Sequence, residues 1–104
     1  MTSELTNAAF FTAKPGKSDE LGRRLLALVE PTRREAGCLR YDIYRSNNDP
    51  NAWFVYEDWR ATDDFSAHMQ TSYVQSFMAD VPVLCAADVE ICAYSRMSSQ
   101  VLTR

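Results

Sequence analysis

Hydrophobic positions along this chain recur with two periods, and the switches between them mark out its elements. From Leu5 to Ala13 the period is two: Leu5, Asn7, Ala9 and Phe11 fall on one face of an extended segment, and Thr6, Ala8, Phe10 and Thr12 on the other. Neither face is wholly polar, which predicts a strand covered on both sides. Lys14-Pro15-Gly16 breaks it, and from Lys17 the period becomes helical. Leu21, Leu25, Leu28 and Thr32 make one stripe, and Asp19 and Glu20 stand in the first turn, where the positive end of a helix favours negative charge. Pro31 predicts a kink and a short second segment over Thr32 to Ala36, and Gly37 a left-handed residue closing the helix.

Period two returns over Leu39 to Arg45, with Leu39, Tyr41 and Ile43 opposed to Arg40, Asp42 and Tyr44, and again over Trp53 to Trp59. The intervening SNNDPN, residues 46–51, is a cluster of turn formers, so the two segments predict an antiparallel hairpin. Thr62 is then the expected cap of a helix carrying Phe65, His68 and Met69, with Asp63 and Asp64 in its first turn. Ser72 and Gln75 have the spacing of a capping box opening a further helix whose stripe is Tyr73, Val74, Phe77, Met78 and Val81, and which Pro82 is expected to stop. Val89, Ile91 and Ala93 alternate in a last strand, and the core is expected over about residues 5–97, with a tail from Ser98 to Arg104.

Strand, helix, strand, strand, helix pair, strand is the βαββαβ order of an α+β, ferredoxin-like fold. It predicts a four-stranded antiparallel sheet in spatial order fourth, first, third, second, with the helices on one face. The other face then poses a problem, because the third strand is apolar on both sides: Phe54 and Tyr56 point one way and Trp53, Val55 and Trp59 the other. Each such side chain gains about 1.5–3 kcal/mol on burial, so a wholly wet face is disfavoured and a homodimer with facing sheets is expected.

Composition narrows the function classes. At 104 residues, 46% hydrophobic and 24% charged, the chain suits one globular domain. Eleven basic against fourteen acidic residues, with no cluster beyond Arg23-Arg24 and Arg33-Arg34, argue against a nucleic-acid partner. No apolar run reaches the roughly 18 residues of a membrane span, and the first residues lack the basic start of a signal peptide, so no membrane partner and a cytoplasmic location are expected. Three cysteines without metal or redox spacing read as reduced thiols, and three isolated glycines support neither a dinucleotide fingerprint nor a phosphate loop.

Candidate chemistry gathers between Trp53 and Phe77, which holds both tryptophans and the single histidine. Glu57 shares a strand face with Trp53, Val55 and Trp59, so its carboxylate must be hydrogen-bonded to backbone, paired with an arginine (Arg40, Arg45 or Arg60 as candidates), or held neutral with a raised pKa, as a structural group or as a general base or substrate-orienting acceptor. His68 can point into the gap between helix and sheet and exchange protons near neutral pH. With no second histidine or paired acid at ligand spacing, no metal site is expected. Asn7, Arg40, Glu57 and His68 as the polar groups of an otherwise aromatic pocket would suit a flat aromatic or quinone-like ligand.

At these residues the sequence resembles the antibiotic biosynthesis monooxygenase domain family, which includes the quinol monooxygenases. The likeness rests on AKPGK after the first strand, TRREAGCLRYDIYR from the first helix into the second strand, YEDW ending the third, and DDFSAHMQTSYVQSF after it. It covers roughly Ala8 to Tyr94. The resemblance implies a dimeric α+β barrel and oxygenase chemistry without metal, flavin or haem, in which a phenol or quinol is deprotonated and its anion reacts with molecular oxygen. In that scheme His68 or Glu57 takes the proton, and Asn7, Trp59 and Tyr73 line and orient the substrate; Arg40 and Phe77 are further candidates for binding it. Relatives that degrade haem resemble a pattern with Trp at the place of His68 and a ligating His near Met78, departures that argue against haem. A non-catalytic binding dimer and an isomerase or degrader of small phosphorylated sugars are the competing readings.

Overall fold

A computed structural model describes residues 4–99. Strand β1 (Leu5–Thr12) is followed by helices α1 (Ser18–Ala27) and α2 (Val29–Arg33), the hairpin β2 (Cys38–Arg45) and β3 (Ala52–Trp59), helices α3 (Thr62–Met69) and α4 (Ser72–Leu84), and β4 (Glu90–Tyr94). The strands form one antiparallel sheet in the order β2-β3-β1-β4, the order expected of the ferredoxin-like arrangement. Leu21 and Leu25 of α1 are completely buried, and with Phe77, Val81 and Leu84 of α4 they pack on Ala9, Phe11, Tyr41 and Val55. Of the tail expected from Ser98, residues 100–104 lie outside the described residues.

Local chemistry departs from the sequence reading at five points. The helical break falls at Leu28, one turn before Pro31, because the proline has no N–H to give to the carbonyl of Ala27. The second segment is therefore Val29–Arg33, and residues 34–37 are turn. Gly37 does not adopt a positive φ; Gly16 alone among the described residues does, at φ 82°. What Gly37 supplies is space: a Cβ there would sit 2.3 Å from Cβ of Asp64, so glycine lets the start of α3 lie against this turn. A bulge between Cys38 and Arg40 returns Cys38 to the helix side and leaves Leu39, expected there, 55% exposed.

The caps shift by one residue. Ala61, extended and without a side-chain cap bond, precedes α3 where Thr62 was expected, and the hydroxyl of Thr71, not Ser72, accepts the N–H of Val74 to cap α4. Pro82 lies inside α4 without ending it, since its missing N–H forfeits one bond near the C-terminus and Cys85 N–H to the carbonyl of Val81 (2.7 Å) resumes the pattern. The far end of α4 is then fastened to the sheet by Lys14 N–H to Leu84 O (2.9 Å) and Ala86 N–H to Thr12 O (2.8 Å).

The sheet face away from the helices carries an aromatic row. Tyr44 stacks on Phe54 at 4.8 Å between ring centroids, and Phe54 meets Phe10 at 5.9 Å. Phe10, Tyr44 and Tyr94 are each 40% exposed or more, so this aromatic row is open in the isolated chain, beside the Arg40–Asp42 pair.

Candidate functional site

The alternation of β3 sends Val55, Glu57 and Trp59 toward the helices. In the register of the sheet Glu57 stands between Asn7 on β1 and Tyr41 on β2, at the centre of the covered face. All four are buried: Glu57 is 5% exposed, Tyr41 3%, Asn7 1% and Trp59 0%. Among the described residues no arginine reaches Glu57. Its partner is Trp59, whose Nε1–H donates to Oε1 at 2.7 Å.

The three cations that the sequence offered are engaged elsewhere. Arg40 lies on the open face, bonded to Asp42 at 2.6 Å and over the ring of Tyr56, because the bulge and the strand period turn it away from the helices. Arg45 lies over Trp53, and Arg60 pairs with Asp64 at 2.9 Å. Burial therefore pushes the carboxyl of Glu57 up to about 7; the Trp59 bond opposes that rise and the charge of Glu35 adds to it.

His68 is 3% exposed on α3 and faces the same region, with its ring 4.8 Å from Trp59, 5.7 Å from Tyr41 and 6.2 Å from Phe65. Its Nδ1 lies 2.8 Å from Oε2 of Glu35, in the turn between α2 and β2. The same carboxylate oxygen accepts the hydroxyl of Tyr73 from α4, which also lies 3.4 Å from the carbonyl of Pro31. Burial and the bond to Glu35 hold the Tyr73 hydroxyl up to about 12, and burial drives that of Tyr41 well above the ordinary phenol range. Both phenols thus stay protonated at physiological pH, and that of Tyr73 donates to Glu35.

Glu57 and His68 line one cavity of about 30 Å³, together with Phe77 and a shell that includes Phe11, Phe65, Met69, Met78, Val89 and Ile91. Among the described residues, no lysine or arginine lines it. That volume is about the share of a single water, so a ring-sized ligand must displace part of the wall. Met69 and Met78 are flexible side chains and Ile91 is already 40% exposed, which makes this side the deformable one. Trp59, Tyr73 and Asn7 stand outside the lining: Trp59 holds Glu57, Tyr73 holds Glu35, and Asn7 keeps an Nδ2 donor without a partner.

The sequence pointed to Glu57, His68 and Phe77, which lie on the cavity wall, counted Arg40 among the pocket's polar groups although it lies on the opposite face, and gave no place to Glu35. The signal for Glu35 was available in outline: a lone buried histidine requires a partner, and TRREAGC puts an acid at the turn that meets α3. A wider open groove of about 900 Å³ lies along β2, among Leu26, Arg33, Arg34, Arg40 and Tyr44. Its guanidinium groups are paired already, Arg33 and Arg40 with Asp42 and Arg34 with Glu30.

Comparison with known proteins agrees with this architecture. The family model described as antibiotic biosynthesis monooxygenase matches residues 5–80. An uncharacterised protein of Synechocystis is 33% identical over 86% of the chain and 60% of its own length, so the chain spans less than two thirds of that relative. A candidate monooxygenase of Mycobacterium tuberculosis is 30% identical over 88% of the chain and 89% of its own length. A Pseudomonas aeruginosa protein of known crystal structure superposes with a TM-score of 0.88 at 35% identity, covering 94% of this chain and 98% of that one. The chain belongs to the antibiotic biosynthesis monooxygenase family. Among the described residues no helix is long and apolar enough to cross a membrane.

Proposed function

We propose that the protein is a cofactor-independent monooxygenase for a small quinol or polyphenol. The observation that carries this reading is the pairing of two buried proton-exchanging groups, Glu57 and His68, on the wall of one otherwise apolar cavity. Either group can take the proton of a phenolic hydroxyl, and the electron-rich anion left in a water-poor site is the species that reduces oxygen. In the overall balance a quinol and O₂ give a hydroxylated quinone and water, one oxygen atom going to each product. Trp59 positions Glu57, Phe77 offers a ring face, and the free amide donor of Asn7 suits a developing oxyanion after local rearrangement.

Among the described residues the lining offers no lysine or arginine, which favours this reading over a phosphorylated sugar, whose dianion would sit beside Glu57 with His68 as its one possible counter-charge. Oxygen-electrode assays over a panel of quinols test the proposal. Uptake above the buffer blank that is lost in His68→Ala is expected; no uptake, or uptake unchanged by the substitution, contradicts it. The same reading takes the open aromatic face of the sheet as the contact between two copies of the chain. Sedimentation at micromolar concentration should give twice 11.8 kDa, and a species of 11.8 kDa alone contradicts that part.

A further inference from the structure

Glu35 lies outside the cavity, yet it is the group through which α3, α4 and the α2–β2 turn meet. One of its oxygens, Oε2, receives both Nδ1 of His68 at 2.8 Å and the hydroxyl of Tyr73. Its side chain is only 17% exposed and that of His68 3%, so water competes little for either contact. We infer that Glu35 is a positioning residue that fixes the tautomer and direction of His68, and that Tyr73 fixes Glu35 in turn.

The chemistry follows from what each atom can do. An ionised carboxylate accepts and cannot donate, so the hydrogen in the His68–Glu35 bond belongs to Nδ1. That leaves Nε2 with its lone pair as the nitrogen available to the cavity, where Glu57 and a substrate hydroxyl would stand. When a proton moves from that hydroxyl to Nε2, the ring becomes an imidazolium whose charge is shared with the Glu35 carboxylate at Nδ1; no further proton need move. The Tyr73 hydroxyl, donating to the same oxygen, prevents the carboxylate from turning away from His68. Trp59, Tyr41 and Phe65 close around the ring from β3, β2 and α3 and leave it one polar partner on that side.

Proton uptake at Nε2 rests on the oxygenase reading; the tautomer does not, and this allows the two to be tested apart. Because His68 is the single histidine, its two ring nitrogens are identified without ambiguity in ¹⁵N-labelled protein. With the ring neutral, the wild type should show Nδ1 as the protonated nitrogen and Nε2 as the bare one. Glu35→Gln, which keeps the shape but not the charge, should give a mixture of the two tautomers while circular dichroism stays that of the folded protein. If a quinol is a substrate, the same variant should lose about 10- to 100-fold in kcat with a much smaller change in KM, the signature of an impaired proton acceptor. A wild-type ring protonated at Nε2, a tautomer unchanged in Glu35→Gln, or a kcat indifferent to the tautomer overturns the inference. A fixed Nδ1–H tautomer in a protein that turns over no quinol sustains the positioning role and removes the oxygenase reading instead.

Discussion

Glu57 makes stability depend on pH in a way that can be worked out from its surroundings. Burial moves its carboxyl from the ordinary 4.5 to about 7, so the fold favours the protonated form. The stabilisation linked to that proton is complete below pH 4.5, declines as pH rises, and is gone once pH has passed 7; above that both the folded and the unfolded chain are ionised and the curve is flat. At about 1.4 kcal/mol per pH unit the whole span amounts to about 3 kcal/mol, and about 2.5 kcal/mol of it falls between pH 5 and pH 8. Glu57→Gln keeps the volume and an acceptor for Nε1 of Trp59 but cannot ionise. Urea unfolding of both proteins at pH 5, 6, 7 and 8, at equal protein concentration, should show the variant gaining on the wild type by that amount across the window. Two parallel curves would refute the account, since they would mean that Glu57 is solvated or charge-paired in the folded state.

Other outcomes follow from local geometry. Gly37→Ala places a methyl group against Cβ and Cγ of Asp64, which cannot retreat without moving the start of α3; a loss of about 1–3 kcal/mol in thermal unfolding is expected. Thr71→Ala removes the hydroxyl that caps α4 and should cost about 1 kcal/mol, while Ser72→Ala should cost much less, reversing what the sequence pattern suggests. Leu25→Ala opens a hole in a fully buried position under α1 and should cost about 2–5 kcal/mol by the same assay.

Most of the fold was legible because it rests on periodicity. The stripe Leu21, Leu25, Leu28 and Thr32, and the two-sided alternation of β1 and β3, are set by which residues can leave water, and the sheet order follows from connection lengths and handedness. Two of the misplaced details were decided by contacts between distant residues: Gly37 answers to Asp64 and not to a backbone angle, and the bulge at Leu39 comes from pairing with β3. The cap of α4 is a local matter, since Thr71 is the extended residue whose hydroxyl meets Val74 N–H. The site shows the same division. Strand period alone put Glu57 beneath the helices, and burial then accounts for its raised pKa without any arginine. Arg40 was misassigned because a guanidinium in the neighbourhood of a buried carboxylate looks like its partner until the face it occupies is known. Glu35, 33 residues from His68, carries no local signal of its own beyond its charge.

The central claim, that this cavity deprotonates a quinol and lets the anion react with oxygen, is tested most directly by isotope. Purified protein given a quinol under ¹⁸O₂ should form a product carrying one labelled atom, at a rate that collapses in His68→Ala. An unlabelled product, or equal labelling with and without His68, would contradict it.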